Sequence, residues 1–468
     1  MRIQHLSLAN FRAFEQLDLQ FEQDVTALAG VNGVGKSAVM EALNVLFSRA
    51  LPLVSVARAR PIRMKNADVR HGSPSVELTA TAELGNRVFD MTLQYTRWDE
   101  KERDTWRRRL QEIQVALLRA REDYDRTAEL TAERGRLEAL LGQEQETWTL
   151  LPRDLLVETT RTGDLEAPAR AAARVMRQLR SAPNQPLVVY FGIGRRLPSR
   201  GSTDRPLRAL EKANAYAEAL QDREVRLREF ADWFRVLRSG IAGHDRVRTS
   251  VEAALQHAIT TFLPGFSNLR VTEASPPQIL VDKASTPLAL DQLSDGERGI
   301  LAVLFDITRR LAIANPDTAE PIAQGRALIL IDELELHLHP TWQRTVLRRL
   351  RDTFKSCQFI VTTHSPQVIG ELESRSLRFL IPEDEQTTVW TPPRALGLDS
   401  SRVVDELMDA PSRNEQVETA LHQLFRLIDD ENFEAAEARI EDLASTLGED
   451  DPEITRARSL LAFLRGEQ

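Results

Sequence analysis

Residues 30–37, Gly30-Val31-Asn32-Gly33-Val34-Gly35-Lys36-Ser37, place spaced glycines ahead of a lysine and a hydroxyl. Such a stretch cradles phosphate. Glycines let the backbone turn its N–H groups inward, and the following helix N-terminus adds partial positive charge. Lys36 then reaches the β- and γ-phosphates of a nucleoside triphosphate, and Ser37 offers an oxygen to Mg2+. Asn32, Gly33, Gly35 and Ala38 complete the candidate phosphate-facing set. Far along the chain, the apolar run 327–331 ends in Asp332-Glu333, as when a buried parallel strand delivers carboxylates to its C-terminal edge. Asp332 is the candidate to hold Mg2+ through water, and Glu333 the candidate general base that polarises an attacking water. A further apolar run, 359–361, leads to Thr362-Thr363-His364-Ser365, which brings His364 to the same edge, within reach of a γ-phosphate.

Two other segments need weighing. In Leu293-Ser294-Asp295-Gly296-Glu297-Arg298, Ser294 and Glu297 have the spacing of a capping box at a helix start. That accounts for Ser294 and Glu297 but not for Gly296. In Leu336-His337-Leu338-His339, the histidines alternate, so one of them faces the site and the other is structural. Their spacing suits metal ligands, but no thiol or carboxylate set completes a zinc site, and zinc is excluded.

Taken in order, the phosphate loop, the Leu-Ser-Asp-Gly-Glu turn, the Ile-Asp-Glu strand and Thr-Thr-His-Ser resemble the RecF/SMC/ABC superfamily of ATPases. The resemblance implies ATP and Mg2+ as ligands and a head-to-tail dimer. In that dimer Ser294, Gly296 and Glu297 of one subunit cap the γ-phosphate held by the other. Leu8-Ala9-Asn10-Phe11-Arg12 is similar to the superfamily's N-terminal strand motif, which implies that Arg12 approaches the nucleotide. Residues 66–72 sit where a magnesium- or water-contacting loop would fall, and Asp68 is the candidate there, although no glutamine occupies the stretch.

A closer resemblance, carried by residues 187–195, 293–298, 331–342 and 358–368, is to the PtuA ATPase family of Septu-type and retron-associated antiphage systems. It implies an ATP-binding and hydrolysing subunit that works with a separate HNH nuclease, itself a dimer or a higher even-numbered oligomer. No HNH motif and no acidic TOPRIM cluster is evident in the chain. The alternative is a RecF/SMC-like, ATP-gated clamp on DNA. A transporter subunit is disfavoured by the inserted arm and by the length of chain between loop and signature.

Elements must hold these motifs in place. The implied fold is an α/β, ABC-type ATPase head with a mixed sheet. Residues 1–97 are its N-terminal lobe with the phosphate loop, and 266–400 its C-terminal lobe with signature, Asp-Glu strand and histidine switch. Val39, Leu43, Leu46 and Phe47 place an apolar stripe on the helix after the loop. Residues 98–150, rich in Arg, Glu, Gln and Leu without proline, spell a short coiled-coil-like arm, each half about 20 residues or ~30 Å long. It turns between about 125 and 135, with Leu130, Leu137, Leu140 and Leu141 on the returning half. Residues 151–265 form a helical insertion containing the strand 187–191, and 401–468 an acidic helical appendage.

With 468 residues, 42% of them hydrophobic, the chain can bury a sizeable core, and its net charge of −9 is not that of a protein that coats nucleic acid. Arginines cluster locally, at Arg58, Arg60, Arg63 and Arg70, at Arg170, Arg174, Arg177 and Arg180, and at Arg195, Arg196, Arg200 and Arg205. Phosphate-backbone contact and solvated ion pairing both fit them, so nucleic acid stays open as a partner, reached through the complex. The single cysteine, Cys357, cannot form an internal disulfide and opens a strand-like run as a buried thiol. No apolar run approaches a bilayer's thickness, so a cytoplasmic protein with no membrane partner is expected.

Overall fold

The computed structural model describes residues 1–58, 60–97, 100–119, 130–131, 133–136, 146–155, 166–194, 211–221, 227–239, 245–274, 277–383, 386–411 and 413–465. Strands β1 (Arg2–Phe11), β2 (Phe14–Gln20), β4 (Ser75–Leu84), β5 (Arg87–Thr96) and β6 (Glu146–Pro152) form an antiparallel sheet in the order β2-β1-β4-β5-β6. Alternation decides which face it buries. Leu6, Leu8, Leu17, Leu19, Leu78, Met91 and Leu93 are buried, while most of the residues between them are at least partly exposed. Residues 146–150 were expected as the tail of the arm and 151–152 as the start of the helical insertion. They are instead the fifth strand of this sheet, with Leu150 opposite Met91 and Glu146 opposite Tyr95.

A second sheet carries the motifs. Its order is β14-β13-β3-β12-β11-β7, from β3 (Val25–Gly30), β7 (Leu187–Phe191), β11 (Ala327–Ile331), β12 (Gln358–Thr362), β13 (Leu377–Glu383) and β14 (Gln386–Trp390). All pairs are parallel except β13 with β14, so the expected mixed sheet is present. Strands β7, β11 and β12 are buried along their whole length, as a parallel strand covered on both faces requires. The pair β13 and β14 was not anticipated. A third, antiparallel sheet, β10-β9-β8, comprises β8 (Phe266–Val271), β9 (Ile279–Lys283) and β10 (Thr286–Ala289).

Helix α1 (Lys36–Val54) contacts β3 and β7 of the parallel sheet and β4 and β5 of the antiparallel one. It is buried nearly all round, including Val39, Leu43, Leu46 and Phe47. Among the described residues it alone is long and apolar enough to cross a membrane, a property it owes to its place in the core. Buried Gln358 at the start of β12 ties the two sheets together. Its Nε2 donates to the carbonyls of Ile3 (2.8 Å) and Glu22 (2.6 Å), and its Oε1 accepts from Ile3 N–H (2.8 Å).

Helix α2 (Glu100–Arg119) begins the arm, and Arg109 reaches Glu133 on the returning segment at 2.9 Å. Of the expected turn, 125–129 and 132 lie outside the described residues while 130–131 and 133–135 are helical; Leu137, Leu140 and Leu141 lie outside the described residues, as do Arg195, Arg196, Arg200 and Arg205. The helical insertion contributes α3 (Glu166–Ser181), α4 (Leu227–Arg238) and α5 (Asp245–Phe262). Helix α6 (Asp295–Ala314) follows β10 and packs against α4 and α5, with Phe305 stacked on Phe230 at 4.3 Å between centroids. Of its two buried arginines, Arg310 is satisfied by Asp306 (2.7 Å) and by the carbonyls of Ala215 (2.6 Å) and Ala217 (3.1 Å), and Arg309 by Asp306 (2.9 Å).

Residues Leu398–Gln468 form a second compact unit. Helices α8 (Glu415–Asp429), α9 (Phe433–Leu447) and α10 (Pro452–Arg465) enclose their own core of Leu424, Ile428, Ala436, Ile440, Ile454 and Ala457, close to the three-helix appendage expected. Asn414 and Asn432 cap α8 and α9 through their side chains.

Candidate nucleotide site

Register brings three loops to one edge of the parallel sheet. Ile331 at the end of β11 pairs with Val361 of β12, and Thr362 pairs with Leu28 of β3. The phosphate loop, Asp332-Glu333 and His364 therefore all leave the sheet at the C-terminal ends of adjacent strands, the usual ligand crevice of an open α/β sheet.

The loop is shaped for an anion. Gly30, Gly33 and Gly35 all have left-handed φ (139°, 80° and 106°). At Gly35 a Cβ would stand 2.3 Å from the Phe14 ring, and at Gly30 2.4 Å from the Leu380 carbonyl oxygen. Helix α1 starts at Lys36 with no side-chain cap and no acidic residue in its first turn, so its first N–H groups are left for a ligand. Lys36 is 5% exposed, and its ammonium donates to the carbonyls of Gly30 and Val31, each at 2.9 Å. Burial pushes its pKa down to about 8, against the pull of Asp332, Glu335 and Glu333. Asn32 and Gly33 lie exposed on the loop, and Ser37 and Ala38 follow in the first turn of α1.

Opposite the loop, buried Asp332 accepts from the Thr362 hydroxyl at 2.5 Å, and the same hydroxyl accepts from Glu333 N–H at 2.7 Å. Thr362 thus fixes both acidic residues. Glu333 adopts φ 47°, a left-handed conformation that costs a non-glycine residue of order 1 kcal/mol and turns it away from the strand direction. His364 has its pKa lowered by burial and then by Lys36, which favours its neutral form. The main-chain N–H of His364 donates to the Glu335 carboxylate. Neither Thr362 nor Glu335 was singled out in the sequence. The contiguous Thr-Thr-His run was the only signal for the first, and a third carboxylate two residues after Glu333 for the second.

Arg12, also at left-handed φ (54°), sets its guanidinium between Asp68 (2.9 Å) and Glu41 of α1 (2.5 Å). Glu41 lies one turn after Ser37 on the same helix face, so Arg12 and Asp68 are brought alongside the first turns of α1. In this arrangement the Asp68 Oδ1 is engaged by Arg12 and its Oδ2 by Lys65 N–H.

Within one chain, Ser294 and Glu297 form the capping box. Glu297 Oε2 accepts from Ser294 N–H and from its hydroxyl, both at 2.8 Å, while Lys283 holds Oε1 at 2.9 Å. Gly296 has a local reason too, since a Cβ there would stand 2.4 Å from the His337 carbonyl oxygen. Ser294, Gly296, His337, His339 and Trp342 line an open cleft of about 630 Å3. His339 caps helix α7 (Pro340–Thr353) by accepting from Thr341 N–H at 3.3 Å, which gives it the structural role expected of one of the two histidines.

Mg2+ fits this donor set. Ser37 and Asp332 offer hard oxygen ligands, and among the described residues no group of three or more His, Cys, Asp or Glu forms a closed metal cage. That matches an ion held by one or two side-chain oxygens together with water and phosphate.

Residues 25–370 match the family model described as "AAA domain, putative AbiEii toxin, Type IV TA system". The chain is similar to the "Retron Ec83 probable ATPase" of Escherichia coli, 36% identical over 46% of this chain and 39% of that protein. It is also similar to the Septu protein PtuA of Bacillus mycoides, 34% identical over 21% of this chain and 13% of that one. The chain thus spans about two-fifths or less of the length of these curated relatives. A solved SMC head bound to the C-winged helix domain of ScpA aligns over 83% of this chain and 98% of that one, at 13% identity and a TM-score of 0.44.

Proposed function

The chain belongs to this AAA domain family, among the ABC/SMC/RecF-type ATPases near PtuA and the retron ATPases, and from that premise we propose that it binds and hydrolyses ATP as the motor of an antiphage defence complex. One observation carries the reading. Lys36, Asp332, Glu333 and His364 converge on a single sheet edge, with a buried ammonium facing buried acid across an uncapped helix start.

In this reading Asn32, Gly33, Gly35, Lys36 and Ala38 bind the phosphates, and Ser37 with Asp332 would hold Mg2+, which would supply charge neutralisation for the transferred phosphoryl group. Asp68 and Arg12 act beside it, on the Ser37 face of α1. Glu333 takes a proton from water as the water oxygen attacks the γ-phosphorus. The bond from that phosphorus to the β–γ bridging oxygen breaks, and ADP leaves. Neutral His364 hydrogen-bonds the γ-phosphate. Ser294, Gly296 and Glu297 cap the γ-phosphate of a second copy in a head-to-tail dimer, and ATP occupancy of that dimer controls a separate HNH nuclease.

Two substitutions test the assignment. Glu333→Gln is expected to retain ATP, accumulate the dimer and lower kcat by about 100-fold or more, the scale of general base catalysis. Lys36→Ala removes a charge-assisted contact of about 1.5–3 kcal/mol and weakens nucleotide binding by roughly 10- to 150-fold. Normal turnover by Glu333→Gln would refute the base assignment. Partner identity is tested by affinity capture from the native host, where a co-purifying HNH nuclease is the expected result. Salt-sensitive, ATP-dependent DNA binding by the purified chain alone would replace the defence reading with a RecF-like clamp.

A further inference from the structure

The loop after β11 holds a third carboxylate, Glu335, in a setting unlike that of its neighbours. One of its oxygens, Oε1, accepts from the main-chain N–H of His364. The other, Oε2, is shut off from solvent and finds no hydrogen-bond partner among the described residues. Leaving such an acceptor bare costs about 1–3 kcal/mol, so it calls for a donor, and a bound water and a catalytic role are among the explanations such groups have. The main chain pins the residue from both sides, since Leu334 N–H donates to the Thr362 carbonyl (3.0 Å) and Leu336 N–H to the Glu333 carbonyl (2.9 Å). Glu335 also lies near enough to Lys36 and to His364 to act electrostatically on both.

We propose that Glu335 is a positioning residue for hydrolysis: one oxygen fixes the backbone, and so the imidazole direction, of His364, while the other accepts from a water that enters with the γ-phosphate. The inference rests on the nucleotide site described above, but the chemistry of the side chain lets its two parts be separated. A glutamine can still accept from His364 N–H through its carbonyl oxygen, yet it presents an NH2 donor where Oε2 must accept. An alanine removes both contacts.

The experiment uses the full chain as parent, Glu335→Gln, Glu335→Ala and Glu333→Gln. Affinity is measured with a non-hydrolysable ATP analogue and Mg2+, kcat and KM by phosphate release, and the His364 amide by proton–nitrogen spectra of histidine-labelled protein. Glu335→Gln is expected to keep the His364 amide near its parental position and the affinity within about threefold, yet to lower kcat at least about tenfold, the lower range of a lost hydrogen bond to a charged group. Glu335→Ala loses the kcat and also moves the His364 amide. Parental kcat in Glu335→Gln, or an unmoved His364 amide in Glu335→Ala, overturns the proposal. A fall in affinity and melting temperature with kcat preserved would mark a merely structural residue and overturns it too. Parental turnover by Glu333→Gln, or none by the parent, sinks the functional reading instead, and the His364 amide then still decides the contact.

Discussion

At the scale of single residues, the lysine of the phosphate loop is strongly altered by its surroundings. Its folded pKa, lowered to about 8 by burial, leaves it partly neutral in mildly alkaline solution. A bound polyphosphate favours the ammonium and raises that pKa, so binding just above pH 8 must take up protons. Affinity should therefore be flat below about pH 8 and fall as pH rises through that value. Titration calorimetry in two buffers of different ionisation enthalpy measures the uptake directly, and its absence would mean that Lys36 meets no phosphate. The loop itself was legible because its eight residues are contiguous and each has a steric or electrostatic reason to be there. Thr362 and Glu335 were not, because what they do depends on how β11 and β12 align, which no local pattern encodes.

At the scale of elements, the join between the two sheets depends on one amide. Gln358→Ala strands the Ile3 N–H and the carbonyls of Ile3 and Glu22 in the interior, and a loss of about 3 kcal/mol or more is expected, measured as a lower midpoint in denaturant with unchanged slope. A stability within about 0.5 kcal/mol of parent would show that the strands hold without it. Among the elements foreseen, α1, β3, β7, β11 and β12 were marked by a long, clean period or a motif at their end. Strand β6 was absorbed into the arm because Glu146-Thr147-Trp148 follows a Glu- and Leu-rich stretch broken only by Gly142. Strands β13 and β14 escaped notice because Arg378, Pro382 and the threonines at 387 and 388 keep the apolar runs short, and pairing with β3 and with each other makes them strands.

At the scale of the molecule, the last 71 residues are a candidate for independent life, since Leu398–Gln468 encloses its own apolar core and the Arg413–Asp451 ion pair (3.0 Å) lies within it. Expressed alone, this fragment is expected to show helical circular dichroism and a cooperative thermal transition, and a non-cooperative melt would show that it needs the head. The arm is attached in a different way. It leaves the head at the end of β5 and returns to β6, the strand hydrogen-bonded beside it, so its two roots are already neighbours. Joining neighbours by a longer tether adds only about 0.6 kcal/mol for each doubling of length. The spar can therefore be lengthened or trimmed at little cost to the strands that root it.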